Sequence, residues 1–297
     1  MPKADVNGIE IYYETTGDRS ASPVLLVSGL AMQLVDWPPS WPDRLAGLGH
    51  FVISYDNRDI GLSTHLADAG VPDLLGLLEG RDAHISYGLA EMADDATGLL
   101  DHLGIENAHV VGISMGGMIV QELAIRHPDR LLSLCSIMST TGNPAVGQPS
   151  GEALGTLLRE APKSRDEAAE QAVDMWRVIG SPAYPFDVEL ESERAAAAYD
   201  RSHDGEGVTR QLGAIVLASD RTAALGSVTV PTLVIHGAAD PLIDPTGGEA
   251  TAKAIPGAQL LMVDGMGHDL PPELDDRLLA AIEANAALAA GAPETSR

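Results

Sequence analysis

Cysteine and long apolar runs are both scarce in this sequence. Its 297 residues include a single cysteine, Cys135, so no internal disulfide can form. Cys135 lies in the apolar run Leu131–Ile137, a setting typical of a small core residue rather than a nucleophile. No stretch approaches the roughly 18 apolar residues of a membrane span, and the first residues contain no apolar signal region. We therefore expect a soluble, cytoplasmic protein.

Basic residues are also few. The chain has 18 Lys and Arg against 43 Asp and Glu, which gives a formal net charge of -25. Nucleic acids and anionic membranes need a basic surface, so neither is expected as a partner. The acidity is interpreted as a solvated, self-repelling surface that aids solubility. We expect a monomer or homodimer that binds a small molecule.

Several kinds of site are missing from the sequence as well. It contains no His, Cys, Asp and Glu cluster with metal-ligand spacing, no glycine-rich phosphate loop and no internal repeat. The sequence therefore predicts neither a metal nor a cofactor.

Short β-branched or leucine-rich runs alternate with helical patterns along much of the chain. Apolar residues at three- and four-residue spacing between Leu89 and Leu103 predict an amphipathic helix that ends at Gly104. This alternation predicts an α/β fold with a mostly parallel central sheet flanked by helices, in which ligands lie at the carboxyl ends of the strands. The predicted strands are Val24–Val27, Phe51–Tyr55, His109–Val111, Leu131–Ile137, Thr232–Ile235 and Gln259–Val263.

The strand pattern stops in the middle of the chain. From residue 143 to 224 the apolar periodicity is helical, and the strand pattern then resumes. We interpret residues 143–224 as a helical lid inserted between two strands of one sheet. The core then comprises residues 1–142 and 225–289, and residues 290–297 are expected to form a flexible tail.

A strand ending at Val111 leads into Gly-Ile-Ser-Met-Gly at 112–116, followed by an amphipathic helix. This strand, turn and helix are the context of a Gly-x-Ser-x-Gly nucleophile elbow. The strained turn predicts that the Ser114 hydroxyl stands at the top of the sheet. The backbone N–H of Met115, at the start of the helix, is predicted to donate to a developing oxyanion.

A serine nucleophile needs a base, and the base needs a carboxylate to orient it. His268 follows the last strand on a glycine-rich loop, whereas His236 precedes the candidate acids and so breaks the expected order of serine, acid and histidine. Asp240 is the predicted acid because it leaves the preceding strand on the next loop. Asp244, four residues further from the strand end, is the alternative.

The second oxyanion donor is expected on the loop Ser28–Ala31, after the first predicted strand, with the backbone N–H of Leu30 as the donor. Trp37 follows this loop and is a candidate pocket residue, although helix packing is an equally common use of such an aromatic. Met175 and Trp176 in the lid are further candidates for an apolar acyl pocket. The alternative is that they only hold the lid together.

Five segments of the chain, among them the turn at Ser114 and the loop of His268, resemble the α/β-hydrolase superfamily. They are most similar to the esterase group that includes aclacinomycin methylesterase. The resemblance implies Ser114, Asp240 and His268 as a catalytic triad, with Leu30 and Met115 as oxyanion donors. In one departure, Ser28-Gly29 stands where many relatives have His-Gly, so an auxiliary interaction of that histidine is missing. The segments that carry the resemblance are Tyr55–Ser63, His109–Gly116, His127–Leu131, Val230–Ile235 and Gly265–Pro271.

The function that these residues predict is hydrolysis of a small hydrophobic carboxylic ester, such as a methyl ester, through an acyl-enzyme. Two alternatives use the same triad: a lactonase, and a cofactor-free haloperoxidase-like perhydrolase. A non-enzymatic alternative is a ligand-sensing relative in which turnover is vestigial.

Overall fold

The fold is built around one sheet. The computed structural model describes residues 2–79, 81 and 84–290, which contain the strands β1 Lys3–Val6, β2 Ile9–Thr16, β3 Ser22–Val27, β4 His50–Tyr55, β5 Ala108–Ile113, β6 Leu131–Ile137, β7 Thr232–Gly237 and β8 Gln259–Val263. In this part of the chain the eight strands follow the order β1-β2-β4-β3-β5-β6-β7-β8. The pairings β1 with β2 and β2 with β4 are antiparallel, and the others are parallel.

Strands β1 and β2 form a hairpin that the sequence analysis missed. Asn7 and Gly8 form its turn, with φ of 48° and 78°. Both values lie in the left-handed region that a two-residue hairpin turn of this type requires, which Asn and Gly adopt most readily. The signal was therefore present in the sequence, as an Asn-Gly pair between two short alternating segments.

Helices cover both faces of the sheet, and alternate residues of a strand enter different cores. Leu25 packs in one apolar cluster and Leu26 in the other. Cys135 is buried in the second cluster, as predicted, and burial raises the pKa of its thiol. The helices are α1 Ser40–Gly47, α2 Leu74–Leu78, α3 Leu89–His102, α4 Met115–Arg126, α5 Gly151–Leu157, α6 Arg165–Ile179, α7 Val188–Arg201, α8 Gly205–Val216, α9 Thr246–Ala254 and α10 Asp275–Ala290.

The parallel register brings the carboxyl ends of several strands to one edge of the sheet. Val27 pairs with Gly112, and Ile137 pairs with both Ile113 and Ile235. The loops that follow β3, β5 and β7 consequently leave the sheet at the same edge, with β6 between β5 and β7. The predicted α/β-hydrolase architecture, with a mostly parallel sheet flanked by helices, is confirmed.

Helices α5 to α8 lie between β6 and β7, within the segment predicted to be helical. We call residues 143–224 the cap; its action as a lid stays a prediction. Ala290 is the last residue of α10 rather than the first of a tail, and the rest of the predicted tail lies outside the described residues. Among the described residues, no helix has both the length and the apolar character needed to cross a bilayer.

Candidate active site

Ser114 lies at the junction of β5 and α4, where the chain turns sharply. Its φ of 55° and ψ of -118° are strained for a residue with a side chain. Two glycines allow this turn. A Cβ on Gly112 would overlap the carbonyl oxygen of Gly116, and a Cβ on Gly116 would overlap that of Val27. The turn is thus fixed by backbone contacts too close for any other residue.

The structure brings together Ser114, His268 and Asp240. His268 Nε2 lies 3.0 Å from Ser114 Oγ, and His268 Nδ1 lies 2.7 Å from Asp240 Oδ2. The other carboxylate oxygen, Oδ1, accepts the backbone N–H groups of Leu242 and Ile243 at 2.8 and 2.9 Å. Asp240 and His268 are 4% and 6% exposed, so the bond between them is shielded from water, whereas the bond from His268 to Ser114 is partly buried.

The competing residues Asp244 and His236 make their hydrogen bonds to other partners, although His236 Nε2 also lies 3.5 Å from Asp240 Oδ2. Asp244 Oδ1 accepts the backbone N–H of Thr246 at 3.0 Å and also its hydroxyl, at the start of α9. His236 is fully buried and its Nε2 donates to the carbonyl oxygen of Ile243 at 2.8 Å. Burial lowers the pKa of His236, which favours a neutral ring in this position. Neither residue contacts Ser114 through a hydrogen bond.

Of the two predicted oxyanion donors, Met115 follows Ser114 directly, and Leu30 lies on a loop next to the elbow. Met115 is the first residue of α4, and the N–H groups of a first turn have no acceptor within the helix. The loop that carries Leu30 packs against the elbow, since a Cβ on Gly29 would lie 3.2 Å from the Cβ of Ser114. Asn57 Nδ2 donates to the carbonyl oxygen of Ser28 at 3.0 Å and anchors the start of this loop.

The cap contacts the loop that carries His268, which the sequence analysis did not foresee. The backbone N–H of His268 donates to the carbonyl oxygen of Ile179, the last residue of α6, at 2.7 Å. Ser181 Oγ accepts the N–H of Gly267 at 2.8 Å and donates to Asp269. Burial raises the pKa of the Asp269 carboxyl above its usual value. The candidate base is therefore held partly by the cap.

Trp37 was a candidate pocket residue, and the structure places it in the core instead. Its side chain is 1% exposed, its Nε1–H donates to Ser28 Oγ at 3.1 Å, and its ring centroid lies 5.7 Å from that of Trp41. These contacts make Trp37 a core residue beneath the loop after β3. The packing alternative considered for this aromatic is the one observed.

Met175 and Trp176 are half-buried and pack with Ile179 and Leu242 in a small apolar cluster. Leu242 lies two residues after Asp240 and donates its N–H to that carboxylate. This cluster therefore joins the cap to the loop of the candidate acid. That Met175 and Trp176 line a substrate pocket stays a prediction.

Two buried ion pairs connect the cap to the loop after β4, and the sequence analysis missed both. Arg201 Nη2 lies 2.8 Å from Asp56 Oδ2. Arg210 binds both oxygens of Asp59 at 2.9 Å, and Asp204 Oδ2 at 3.2 Å. Asp59 and Arg210 are 0% and 2% exposed. In the sequence these residues are only charged side chains in a loop and on helices. Nothing there indicates which of them form pairs.

Asp59, His65 and Asp204 offer ligand atoms within 4.8 Å of one another. The Arg210 guanidinium already binds both carboxylates of this group, and His65 Nδ1 lies 2.8 Å from Asp204 Oδ2. A cation would face the positive charge of Arg210 at close range. We therefore interpret this group as an ion-pair network, and the expected absence of a metal site stays a prediction.

Comparison with known proteins agrees with this architecture. Residues 22–273 match the family model for the alpha/beta hydrolase fold. Rhodomycin D methylesterase DnrP of Streptomyces peucetius is 32% identical, over 92% of this chain and 94% of that protein. The 2-hydroxymuconate semialdehyde hydrolase of Pseudomonas putida is 30% identical, over 88% of this chain and 85% of that protein.

Among solved structures, the enol-lactonase from Burkholderia xenovorans LB400 superposes with a TM-score of 0.70 at 26% identity, over 95% of this chain and 97% of that one. The family and its methylesterase members support the predicted enzyme class, a carboxylesterase-type hydrolase. With a family model that spans residues 22–273 and relatives that align along nearly all of its length, this chain belongs to the α/β-hydrolase family.

Proposed function

We propose that this protein is a serine carboxylic-ester hydrolase in which Ser114 is the nucleophile, His268 the general base and Asp240 the orienting acid. The observation that carries the proposal is the continuous chain of hydrogen bonds from Asp240 through His268 to Ser114, at 2.7 and 3.0 Å. A serine hydroxyl is a weak nucleophile unless an adjacent base accepts its proton. The strained turn at Ser114 is the second support, because it holds the hydroxyl at the strand ends.

Acylation begins when Ser114 Oγ attacks the ester carbonyl carbon and its proton passes to His268 Nε2. The negative charge that develops on the carbonyl oxygen is stabilised by the N–H groups of Leu30 and Met115. Asp240 stabilises the imidazolium and holds its Nδ1–H. Collapse of the tetrahedral intermediate breaks the bond to the alkoxy oxygen, which leaves as the alcohol with the proton from His268.

Deacylation repeats these steps with water. His268 Nε2 takes a proton from a water molecule as its oxygen attacks the acyl carbon. The second tetrahedral intermediate releases the acid, and the proton on His268 returns to Ser114 Oγ. The two half-reactions together add one water to the ester and regenerate the enzyme.

We further propose that the substrate is a short-alcohol ester of a bulky hydrophobic acid, such as a methyl ester. Two curated relatives are rhodomycin D methylesterases. The apolar cluster of Met175 and Trp176 against Leu242 gives a second support, because it lies beside the loop of Asp240. Burial of an apolar acyl group there is favourable by roughly 25 cal/mol per Å². Residues 143–224 would then act as the lid that selects the acid.

A substrate panel tests this proposal. We expect kcat/KM for the methyl ester of a bulky aromatic acid to exceed that for a small acetate ester. Trp176→Ala should reduce this preference by about tenfold, since a large aromatic truncation removes apolar contact with the acyl group. Leu190→Ala serves as the matched control because Leu190 also lies on the cap but is 44% exposed.

A clear preference for the acetate ester that is unchanged in Trp176→Ala would contradict the proposed acyl specificity. Faster turnover of an enol lactone than of any open-chain ester would replace the esterase with a lactonase on the same residues, the activity named for the Burkholderia xenovorans relative.

A further inference from the structure

Gln211 lies on cap helix α8, and its amide is held entirely within the protein. The side chain is 0% exposed. Its Oε1 accepts the backbone N–H of Ala31 at 3.1 Å, and its Nε2 donates to the carbonyl oxygen of Arg58 at 2.8 Å. One cap side chain thus joins the loop after β3 to the loop after β4.

The residue that Gln211 binds, Ala31, directly follows Leu30, the proposed oxyanion donor. Ala31 has a φ of 61°, in the left-handed region that is strained for a residue with a Cβ. A strained residue persists where its surroundings fix it. The bond from Gln211 is one such constraint, and the turn bond from Met32 N–H to the Gly29 carbonyl oxygen, at 3.3 Å, is the other.

The two ends of this loop are held by different parts of the molecule. On the core side, Asn57 binds the carbonyl oxygen of Ser28, and on the cap side Gln211 binds the N–H of Ala31. The peptide N–H of Leu30 lies between these anchors. These anchors, together with the bond from Met32 to the Gly29 carbonyl of the same peptide, constrain its direction.

We propose that Gln211 is a positioning residue for the oxyanion hole. It holds the N–H of Leu30 in place only when the cap is docked against the core. This inference rests on the proposed serine hydrolase function. Gln211 does not touch the substrate; it acts through the backbone of Ala31 on the N–H of Leu30. Transition-state stabilisation thereby becomes dependent on cap position.

The substitution Gln211→Met tests the proposal, because methionine has similar length but cannot form either hydrogen bond. Thr222→Val is the matched control. Thr222 also lies on the cap, and its hydroxyl donates to Oγ1 of the buried core residue Thr141 at 3.0 Å. Each variant removes a hydrogen bond between the cap and the core, so both should lose thermal stability. Of the two, only Gln211→Met removes a bond to the loop of Leu30.

Two inhibitors distinguish an effect of Gln211 on the tetrahedral transition state from an effect on ground-state binding. A trifluoromethyl ketone forms a tetrahedral adduct with the serine and places an oxyanion in the hole, whereas the product acid binds as a ground-state ligand. In Gln211→Met we expect kcat and ketone affinity to fall together by about 10- to 100-fold, since a misplaced donor loses much of its contribution. Affinity for the product acid should stay within about threefold of the parent, as should kcat in Thr222→Val.

Gln211→Glu provides a second variant if Gln211→Met does not fold. The carboxyl keeps an oxygen of equal reach for the Ala31 N–H, so its ketone affinity should stay within about tenfold of the parent, and a larger loss would overturn the inference. The inference is also overturned if Gln211→Met keeps ketone affinity within about threefold of the parent, or if Thr222→Val loses as much as Gln211→Met. Failure of the ketone to inhibit the parent enzyme would instead contradict the proposed function, so the two failures are distinguishable.

Discussion

The sheet core and the cap hold their functional groups by different physical means. In the core, strands β4, β5 and β7 are buried at every position, and the turn at Ser114 is fixed by glycines packed against backbone carbonyls. Apolar packing of this kind is non-directional but dense. The position of Ser114 is therefore fixed by the close packing of the core around its turn.

The cap has less apolar surface buried and depends on directed polar contacts. Helix α7 buries a single residue, Ala196, among its described positions. The cap meets the core through the ion pairs of Arg201 and Arg210, the carbonyl of Ile179 and the amide of Gln211. Ser114, the proposed nucleophile, is thus positioned by the core, whereas the loops of the proposed base and of the proposed oxyanion donor Leu30 also depend on the cap.

The largest effect should come from the core side of the site. Asp240→Asn should reduce kcat by on the order of 10³ to 10⁴, because an amide would donate to His268 Nδ1 and stabilise the wrong tautomer. The exposed alternative, Asp244→Asn, is the control and should stay within about threefold of the parent. Steady-state kinetics on a methyl ester measure both. A larger loss in Asp244→Asn would overturn the assignment of the acid.

Loss of a buried cap ion pair should be the next largest effect. Arg210→Met leaves the fully buried carboxylate of Asp59 without its bidentate partner. Removal of one member of a buried pair costs about 3 to 5 kcal/mol, which the midpoint and slope of urea unfolding would measure.

Lys163→Met is the matched control for Arg210, because the pair of Lys163 and Glu160 is also in the cap but 76% and 86% exposed. Its loss should leave the urea midpoint close to that of the parent, because water screens an exposed pair. Equal effects of the two substitutions would mean that the buried pair does not hold the cap to the core.

The smallest effect should appear at the boundary of the two regions, at Asp36. Burial raises the pKa of this carboxyl to about 6. Since the folded protein binds this proton more tightly than the unfolded chain, the stability that Asp36 contributes is complete below about pH 4 and is lost as the pH rises through about 6. In Asp36→Asn, residue 36 carries no titratable group. The free energy of unfolding of this variant, relative to that of the parent, should therefore rise with pH. The difference should reach about 1 kcal/mol at neutral pH for this half-buried group.

Asp18→Asn is a control of opposite sign for Asp36. The N–H and hydroxyl of Ser20 lower the pKa of Asp18, so its contribution is lost as the pH falls. Thermal unfolding of the parent and both variants between about pH 2 and pH 8 would show the two trends, that of Asp18 below about pH 4 and that of Asp36 above it. A pH-independent difference for Asp36→Asn would refute the shifted pKa.

The core and the triad candidates could be predicted because their signals are local in sequence. Gly112 and Gly116 surround Ser114 on adjacent residues, and a buried parallel strand is apolar throughout its length. Chain order and loop position then selected Asp240 and His268. The hairpin at Asn7 and Gly8 carried an equally local signal and was overlooked.

The cap contacts could not be predicted because their partners are far apart along the chain. Gln211 and Ala31 are separated by 180 residues, and Arg210 and Asp59 by 151. A glutamine or arginine on a helix gives no indication of whether it faces solvent or a buried carboxylate. Trp37 was ambiguous for a related reason, since a core aromatic and a pocket aromatic have the same local pattern.

The central claim is that Ser114 is the nucleophile of an ester hydrolase, and one variant tests it directly. Hydrolysis of a methyl ester by Ser114→Ala should fall by roughly 10⁴-fold or more while the protein stays folded, since the covalent route is lost but the oxyanion donors remain. A fluorophosphonate probe should label the parent at Ser114 and leave the variant unlabelled. Activity of Ser114→Ala within about tenfold of the parent would contradict the claim.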